Sequence, residues 1–115
     1  MKLMVTGGRD YDDMKELYRV LDRVHAGNLV DVLIHGANKK GADRLAKLWA
    51  ETNKIECKPF PANWNLYNKA AGPIRNQEMV DDGPHLVVAF PGANGTADAV
   101  ARARRAGIPV IMVPR

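Results

Sequence analysis

Short apolar runs alternate along the chain with longer stretches whose apolar positions recur at helical spacing, so strand and amphipathic helix are predicted in turn. Lys2 to Thr6 reads as a first strand that runs straight into Gly7 and Gly8. Asp13 is placed to cap a helix, with Glu16 following as in a capping box; Met14, Leu17, Leu21 and Val24 share one face, and Gly27 supplies the stop. Val32 to His35 predicts a second strand ending at Gly36, and Ala42, Leu45, Ala46 and Trp49 mark one face of a second helix. Ile55 to Phe60 is a weaker strand, expected at a sheet edge because Pro59 lacks an N–H donor.

Pro61 to Gly72 reads as the longest irregular stretch, with Trp64 and Tyr67 among small and polar residues. Pro73 suits the start of a helix that continues through Val80 and stops at Asp81-Asp82-Gly83-Pro84. Leu86 to Phe90 is an unbroken apolar run, the mark of a strand buried on both faces. After the turn Pro91 to Gly95, Thr96 is expected to cap a helix whose Ala97, Val100, Ala101 and Ala103 are small enough to lie close on a sheet. Gly107 ends that helix, and Pro109 to Val113 is the last strand. This alternation predicts one α/β domain over residues 1–115: a Rossmann-like parallel sheet of five strands in the order 3-2-1-4-5, with helices on both faces.

Composition narrows the class. Hydrophobic residues make up 46% of the 115 and charged residues 26%, a globular balance rather than a disordered one. The run Leu86 to Phe90 falls far short of the ~20 residues of a membrane helix, and no signal-peptide core follows Met1-Lys2. Cys57 stands alone, which excludes an internal disulfide and fits a cytoplasmic setting. His25, His35 and His85 are scattered, without zinc spacing, and no metal or cofactor is expected. The net charge of +4 favours anionic partners such as nucleotides, nucleic acid or acidic lipid. Most cations are interleaved with acids; Lys39-Lys40 and Arg102, Arg104 and Arg105 form either a solvated face or a phosphate-attracting rim.

In such a sheet, ligands bind beyond the carboxyl ends of the strands where the strand order reverses. Three glycine segments are expected there: Gly7-Gly8-Arg9, Gly36 to Gly41, and Pro91-Gly92-Ala93-Asn94-Gly95-Thr96. The last joins a buried strand to a helix and is either a tight turn or a phosphate cradle, with Thr96 as cap or ligand. Gly36-Ala37-Asn38-Lys39-Lys40-Gly41 nearly copies a P-loop spacing, but Ala42-Asp43 replaces the Lys and Ser/Thr, which excludes a Walker-type ATPase. Asp43 either complements the helix dipole or meets a ligand hydroxyl. Arg75, at the opening of a helix, opposes the dipole, and that conflict points to a task such as gripping phosphate through two donors; Arg9 follows the same logic. Asn76 is a local backbone partner or a ligand contact. Trp64 and Tyr67 stack on a base or anchor their loop, and Asp98 serves the helix dipole or the ligand. Few aromatics and no basic stripe argue against nucleic-acid stacking.

Val5-Thr6-Gly7-Gly8-Arg9-Asp10-Tyr11, His35-Gly36-Ala37 with Lys40-Gly41-Ala42-Asp43, Trp49-Ala50, Ala71-Gly72-Pro73-Ile74-Arg75-Asn76 with Met79, Ala89-Phe90-Pro91-Gly92 with Gly95-Thr96, and Ala106-Gly107-Ile108-Pro109 together resemble the YspA-like (YpsA-related) branch of the SLOG superfamily, in order and over nearly the whole chain. The resemblance implies a Rossmann-like fold, a bacterial or phage origin, a homodimer, and a nucleotide-derived ligand such as a nucleoside phosphate or ADP-ribose-like molecule held for sensing, sequestration or processing. The LOG-type phosphoribohydrolases of the superfamily cleave a base from a nucleoside monophosphate with an arginine and a glutamate, within Pro-Gly-Gly-x-Gly-Thr-x-x-Glu. Pro91, Gly92, Gly95 and Thr96 match that motif, Ala93 replaces a glycine, and Ala99 occupies the glutamate position. Arg75 matches the family arginine. Binding therefore leads. An N-glycosidic hydrolase using Arg75 and Asp98 is the alternative, and a nucleic-acid module using Arg102, Arg104 and Arg105 comes last.

Overall fold

Side chains of a strand point alternately to its two faces, and the strands divide their apolar residues accordingly. Leu3, Val5, Leu33, Val88 and Phe90 pack in one buried cluster; Met4, Ile34 and Val87 belong to the other. The computed structural model describes residues 1–115. In chain order the elements are β1 (Lys2–Thr6), α1 (Met14–Gly27), β2 (Val32–His35), α2 (Gly41–Thr52), β3 (Glu56–Pro59), α3 (Trp64–Tyr67), α4 (Ala71–Asp81), β4 (Leu86–Ala89), α5 (Asn94–Arg105) and β5 (Val110–Met112). A 3-10 turn, Asn68–Ala70, links α3 to α4.

All pairings are parallel and the strand order is β3-β2-β1-β4-β5, as the alternation predicts. The sheet grows from β1 outward to β3, then returns to lay β4 against the free side of β1. Leu17 and Leu21 of α1 and Leu45 and Trp49 of α2 therefore cover one face. Met79 and Val80 of α4 and Ala99 and Ala103 of α5 cover the other. Trp49 is fully buried and keeps its one polar atom paired, donating from Nε1 to Asp22 Oδ1 at 2.8 Å, which ties α2 to α1. No helix is long and apolar enough to cross a membrane.

The helix ends show where local signals prevail and where they yield. Asp13 caps α1, accepting the Glu16 N–H at 3.1 Å, but the Glu16 carboxylate turns to Arg19 instead of closing the box. Gly27 is the last helical residue, and the extended Asn28 (φ −154°) breaks the helix. Gly107, at φ +75°, ends α5: its N–H bonds Arg104 O and that of Ile108 bonds Ala103 O, both at 3.0 Å, the pairing of a Schellman turn. The stretch expected to be irregular is helical from Trp64, and α4 begins at Ala71, two residues before Pro73, which the first turn tolerates because an N–H there would have no intrahelical partner to lose. Thr96 is no cap: α5 starts at Asn94 and has no side-chain cap.

β1 and β4 end level, Thr6 opposite Ala89, so the loops that follow them meet. Gly8 is where they join. Its N–H donates to Pro91 O at 2.9 Å, and its C=O accepts from Tyr11 N at 3.2 Å and Ala42 N at 3.1 Å. At Gly41, φ is +72° and an added Cβ would stand 2.1 Å from Gly8 O, so only glycine permits the approach.

Two expectations follow. Gly41→Ala should destabilise the fold by roughly 2 kcal/mol or more, read as a lowered midpoint of urea unfolding, because strain and collision add. His35 is 3% exposed; its Nδ1 accepts the Ala37 N–H at 3.0 Å, so the proton sits on Nε2, which has no partner. Burial, with Lys47 and Arg75 nearby, holds its pKa below the ordinary 6.5. The native state thus disfavours the charged form. The stability His35 contributes is complete above the unfolded value and is lost as pH falls below about 6.5 toward the folded one. Thermal melts from pH 7.5 to 5.0 should show a steeper loss for the native chain than for His35→Gln.

Candidate functional site

The loops after β1, β2 and β4 and the start of α4 surround one open cleft of about 1360 Å³ at the carboxyl end of the sheet. Gly7, Gly8 and Arg9 line it from the first loop, and Gly36, Ala37, Lys40 and Asp43 from the second. Trp64 comes from α3, Arg75 and Asn76 from α4, and Pro91, Gly92, Asn94, Gly95, Thr96 and Asp98 from the last segment. Of the residues expected in the glycine segments as ligand contacts, Gly41 does not line the cleft. It sits under Gly8 and Arg9 and faces a smaller adjoining recess.

The amino end of α5 opens into this cleft. Asn94, Gly95 and Thr96 form its first turn, where N–H groups have no intrahelical partner, and no side chain caps them. The backbone turns tightly enough that a Cβ at Gly92 would lie 2.1 Å from Thr96 Oγ1 and 2.7 Å from Gly8 N. Thr96 is buried against that turn rather than capping it. An uncapped helix start of this kind is a receptor for anions.

Arg75 lies in the second turn of α4 and is half-buried. Its Nη1 donates to Gly36 O at 2.5 Å and its Nε to Asn76 Oδ1 at 2.9 Å. The two-donor grip expected on phosphate is thus partly committed to the protein, which leaves Nη2 for a ligand. Burial lowers the Arg75 pKa, with Asp43 and Glu78 opposing that effect. Asp43 is 8% exposed, and burial raises its pKa against the N–H groups of Asn38 and Gly36 and the charge of Arg75. Asn38 N donates to Asp43 Oδ2 at 3.1 Å. Arg75 and Asp43 form no ion pair, yet both converge on Gly36: a Cβ there would stand 2.5 Å from Arg75 Nη1 and 3.0 Å from Asp43 Oδ2. Two charged groups, partly stripped of water and held apart by a bare backbone, make a polar slot.

Asn76 couples this slot to α5. It is 3% exposed, accepts from Arg75 through Oδ1, and donates through Nδ2 to Gly95 O at 3.2 Å and Asp98 Oδ2 at 3.0 Å. Asp98 Oδ2 also accepts from Arg102 Nε at 2.9 Å, while Oδ1 takes no hydrogen bond from the protein. Burial pushes the Asp98 pKa up, but the bonds from Arg102 and Asn76 and the charges of Arg102 and Arg105 outweigh it, so the group stays below the ordinary value. Asp98 lines the cleft whereas Ala99 is fully buried in the core cluster beneath α5. A carboxylate at position 99 would point at the sheet.

Sequence reasoning missed Tyr11, Asn38 and Lys69, which also line the cleft. Tyr11 packs on Phe90 with ring centroids 5.3 Å apart, a contact across the sheet end that spacing does not reveal. Asn38 was legible as the polar residue within the second glycine segment. Lys69 carries no local signal, because the 3-10 turn brings it in. Trp64 stays half-exposed at the rim, and Tyr67, the other candidate for base stacking, does not line the cleft.

Comparison with known proteins places these features in a family. The model of the YspA, cpYpsA-related SLOG family matches residues 1–67, which hold β1 through α3, the first two glycine loops, Asp43 and Trp64. The chain is also 34% identical over 118 residues to the Gene 61 protein of Mycobacterium phage D29, an alignment covering 96% of this chain and 94% of that protein. It therefore reaches Arg75, Asn76 and the β4–α5 turn as well. The five-stranded Rossmann-like sheet and these two matches together mean that the chain belongs to the YspA, cpYpsA-related SLOG family.

Proposed function

We propose that the cleft binds a nucleotide-derived small molecule, a nucleoside phosphate or an ADP-ribose-like compound. The observation that carries the reading is the uncapped start of α5 opening into the same cleft as the half-buried Arg75 and the buried Asp43. The free amides of residues 94–96 and Nη2 of Arg75 suit a phosphate. Asp43, an acceptor in a slot a hydroxyl can enter, suits a ribose. Trp64 presents an exposed ring for a base. Membership of the SLOG family agrees with a ligand of this class.

A second reading has its own observation. Asp98 keeps Oδ1 free, is ionised at neutral pH, and lines the cleft, so it can take the place of the carboxylate that Ala99 lacks in an N-glycosidic hydrolase.

Calorimetry with a nucleotide panel tests the first reading. Arg75→Ala should weaken the best ligand by about 1.5–3 kcal/mol, the range of a hydrogen bond to a charged group. Gly95 offers a sharper test, since a Cβ there meets nothing within 4 Å. Gly95→Ala should stabilise α5 by about 0.5–1 kcal/mol and at the same time weaken nucleotide binding, because Gly95 lines the cleft and the methyl group takes up open space there. A gain in thermal stability with unchanged affinity would remove the α5 amides from the site. Incubation with nucleoside monophosphates and NAD-like compounds tests the second reading: base release should fall at least a hundredfold in Asp98→Asn, and equal release would exclude Asp98 from catalysis.

A further inference from the structure

We infer that the recess beside the main cleft is a second anion subsite, so the ligand class narrows to nucleotides carrying more than one phosphate. This rests on the nucleotide reading above. The recess, about 500 Å³, gathers Arg9, Lys39, Lys40 and Arg44 against Asp10 and Asp12. It shares Arg9, Lys39 and Lys40 with the cleft, so one molecule can reach both.

Unpaired cations occur elsewhere on the surface, among them Lys15, Arg23 and Lys54, but here four of them meet in one hollow. Lys2, Lys58, Arg19, Lys47 and Arg102 each stand within ion-pair distance of a carboxylate, whereas none of the recess cations does. They are also held together by the fold rather than spread along a helix. The Gly8 carbonyl accepts the Ala42 N–H, and Gly41 adopts φ +72° at van der Waals range of Gly8 and Arg9, which brings Arg9 of the first loop against Lys40 and Arg44 at the start of α2. Four cations beside two carboxylates leave an excess positive charge, and the positive end of α2 adds to it. Like charges crowded into one hollow repel, and an anion in their midst relieves that repulsion. Within the cleft proper, by contrast, Arg75 spends two of its donors on Gly36 and Asn76. One phosphate at α5 occupies the amides there and leaves the recess charge unanswered; a second phosphate answers it.

Arg44 isolates the claim, because it lines the recess and not the cleft. The experiment measures binding of AMP, ADP, ADP-ribose and adenosine 3′,5′-bisphosphate by calorimetry to the full chain, to Arg44→Gln and to Arg44→Glu. Arg44 is exposed, and a thermal melt of each variant confirms folding. At least one of the compounds with two phosphates should bind tenfold or more tightly than AMP to the native chain. Arg44→Gln should remove most of that advantage and Arg44→Glu all of it, while AMP affinity moves less than twofold. The advantage should also shrink as salt rises from 50 to 300 mM. AMP binding as tightly as every two-phosphate compound, or an advantage indifferent to Arg44→Glu, would overturn the second subsite and leave the nucleotide reading standing. Absence of binding to all four compounds would overturn both.

Discussion

The architecture of the site depends on the backbone of one residue. A parallel sheet delivers the ends of its strands to one edge, but the loops that follow are otherwise independent. Gly8 donates its N–H to Pro91 and accepts through its carbonyl from Tyr11 of its own loop and from Ala42 at the start of α2, so three segments are joined at one residue. Backbone groups withdrawn from water must find partners, and here two of the three partners belong to other segments. The approach requires bare backbone on every side: a Cβ at Gly41 would collide with Gly8 O, and one at Gly92 with Gly8 N. The glycine segments are thus one packing arrangement rather than three separate turns, and the cleft is the space that this arrangement leaves.

Charge sets the second constraint. Arg75 and Asp43 lie close to each other without forming an ion pair, and burial pushes each toward its neutral form. Taking charges out of water is costly unless hydrogen bonds replace the lost solvation. Gly36 O, Asn76 Oδ1 and the Asn38 N–H do so in part. Asn76 extends this arrangement to Gly95 and Asp98, so α4 and α5 hold their polar groups in fixed relation before any ligand arrives. Such preorganisation lowers the cost of ordering side chains on binding.

Much of the fold was legible because its signals are local or periodic. The unbroken run at Leu86–Ala89 is a strand buried on both faces, Pro59 lies on an edge strand, and Gly107 ends α5 through a left-handed turn. The failures share a cause. Glu16 abandons its capping box because Arg19 is within reach, and Trp64 begins a helical turn in a stretch with no apolar periodicity, capped by the Asn63 side chain on Leu66 N. Thr96 looked like a cap by residue type, but the helix starts three residues earlier, with Ala93 at the cap position, and the hydroxyl is buried against the Gly92 turn.

By itself the sequence determined the alternation of strands and helices, the parallel sheet and its order, and the gathering of glycine loops at one edge, because periodicity and turn chemistry act over a few residues. Only the tertiary structure decided what those loops do together. That Arg75 reaches Gly36 across 39 positions, that Asn76 bonds Asp98, and that Ala99 faces the core while Asp98 faces the cleft are relations between distant segments. They exist because the packing of helices on the sheet sets the rotation of each helix about its axis, and with it which residue faces the opening.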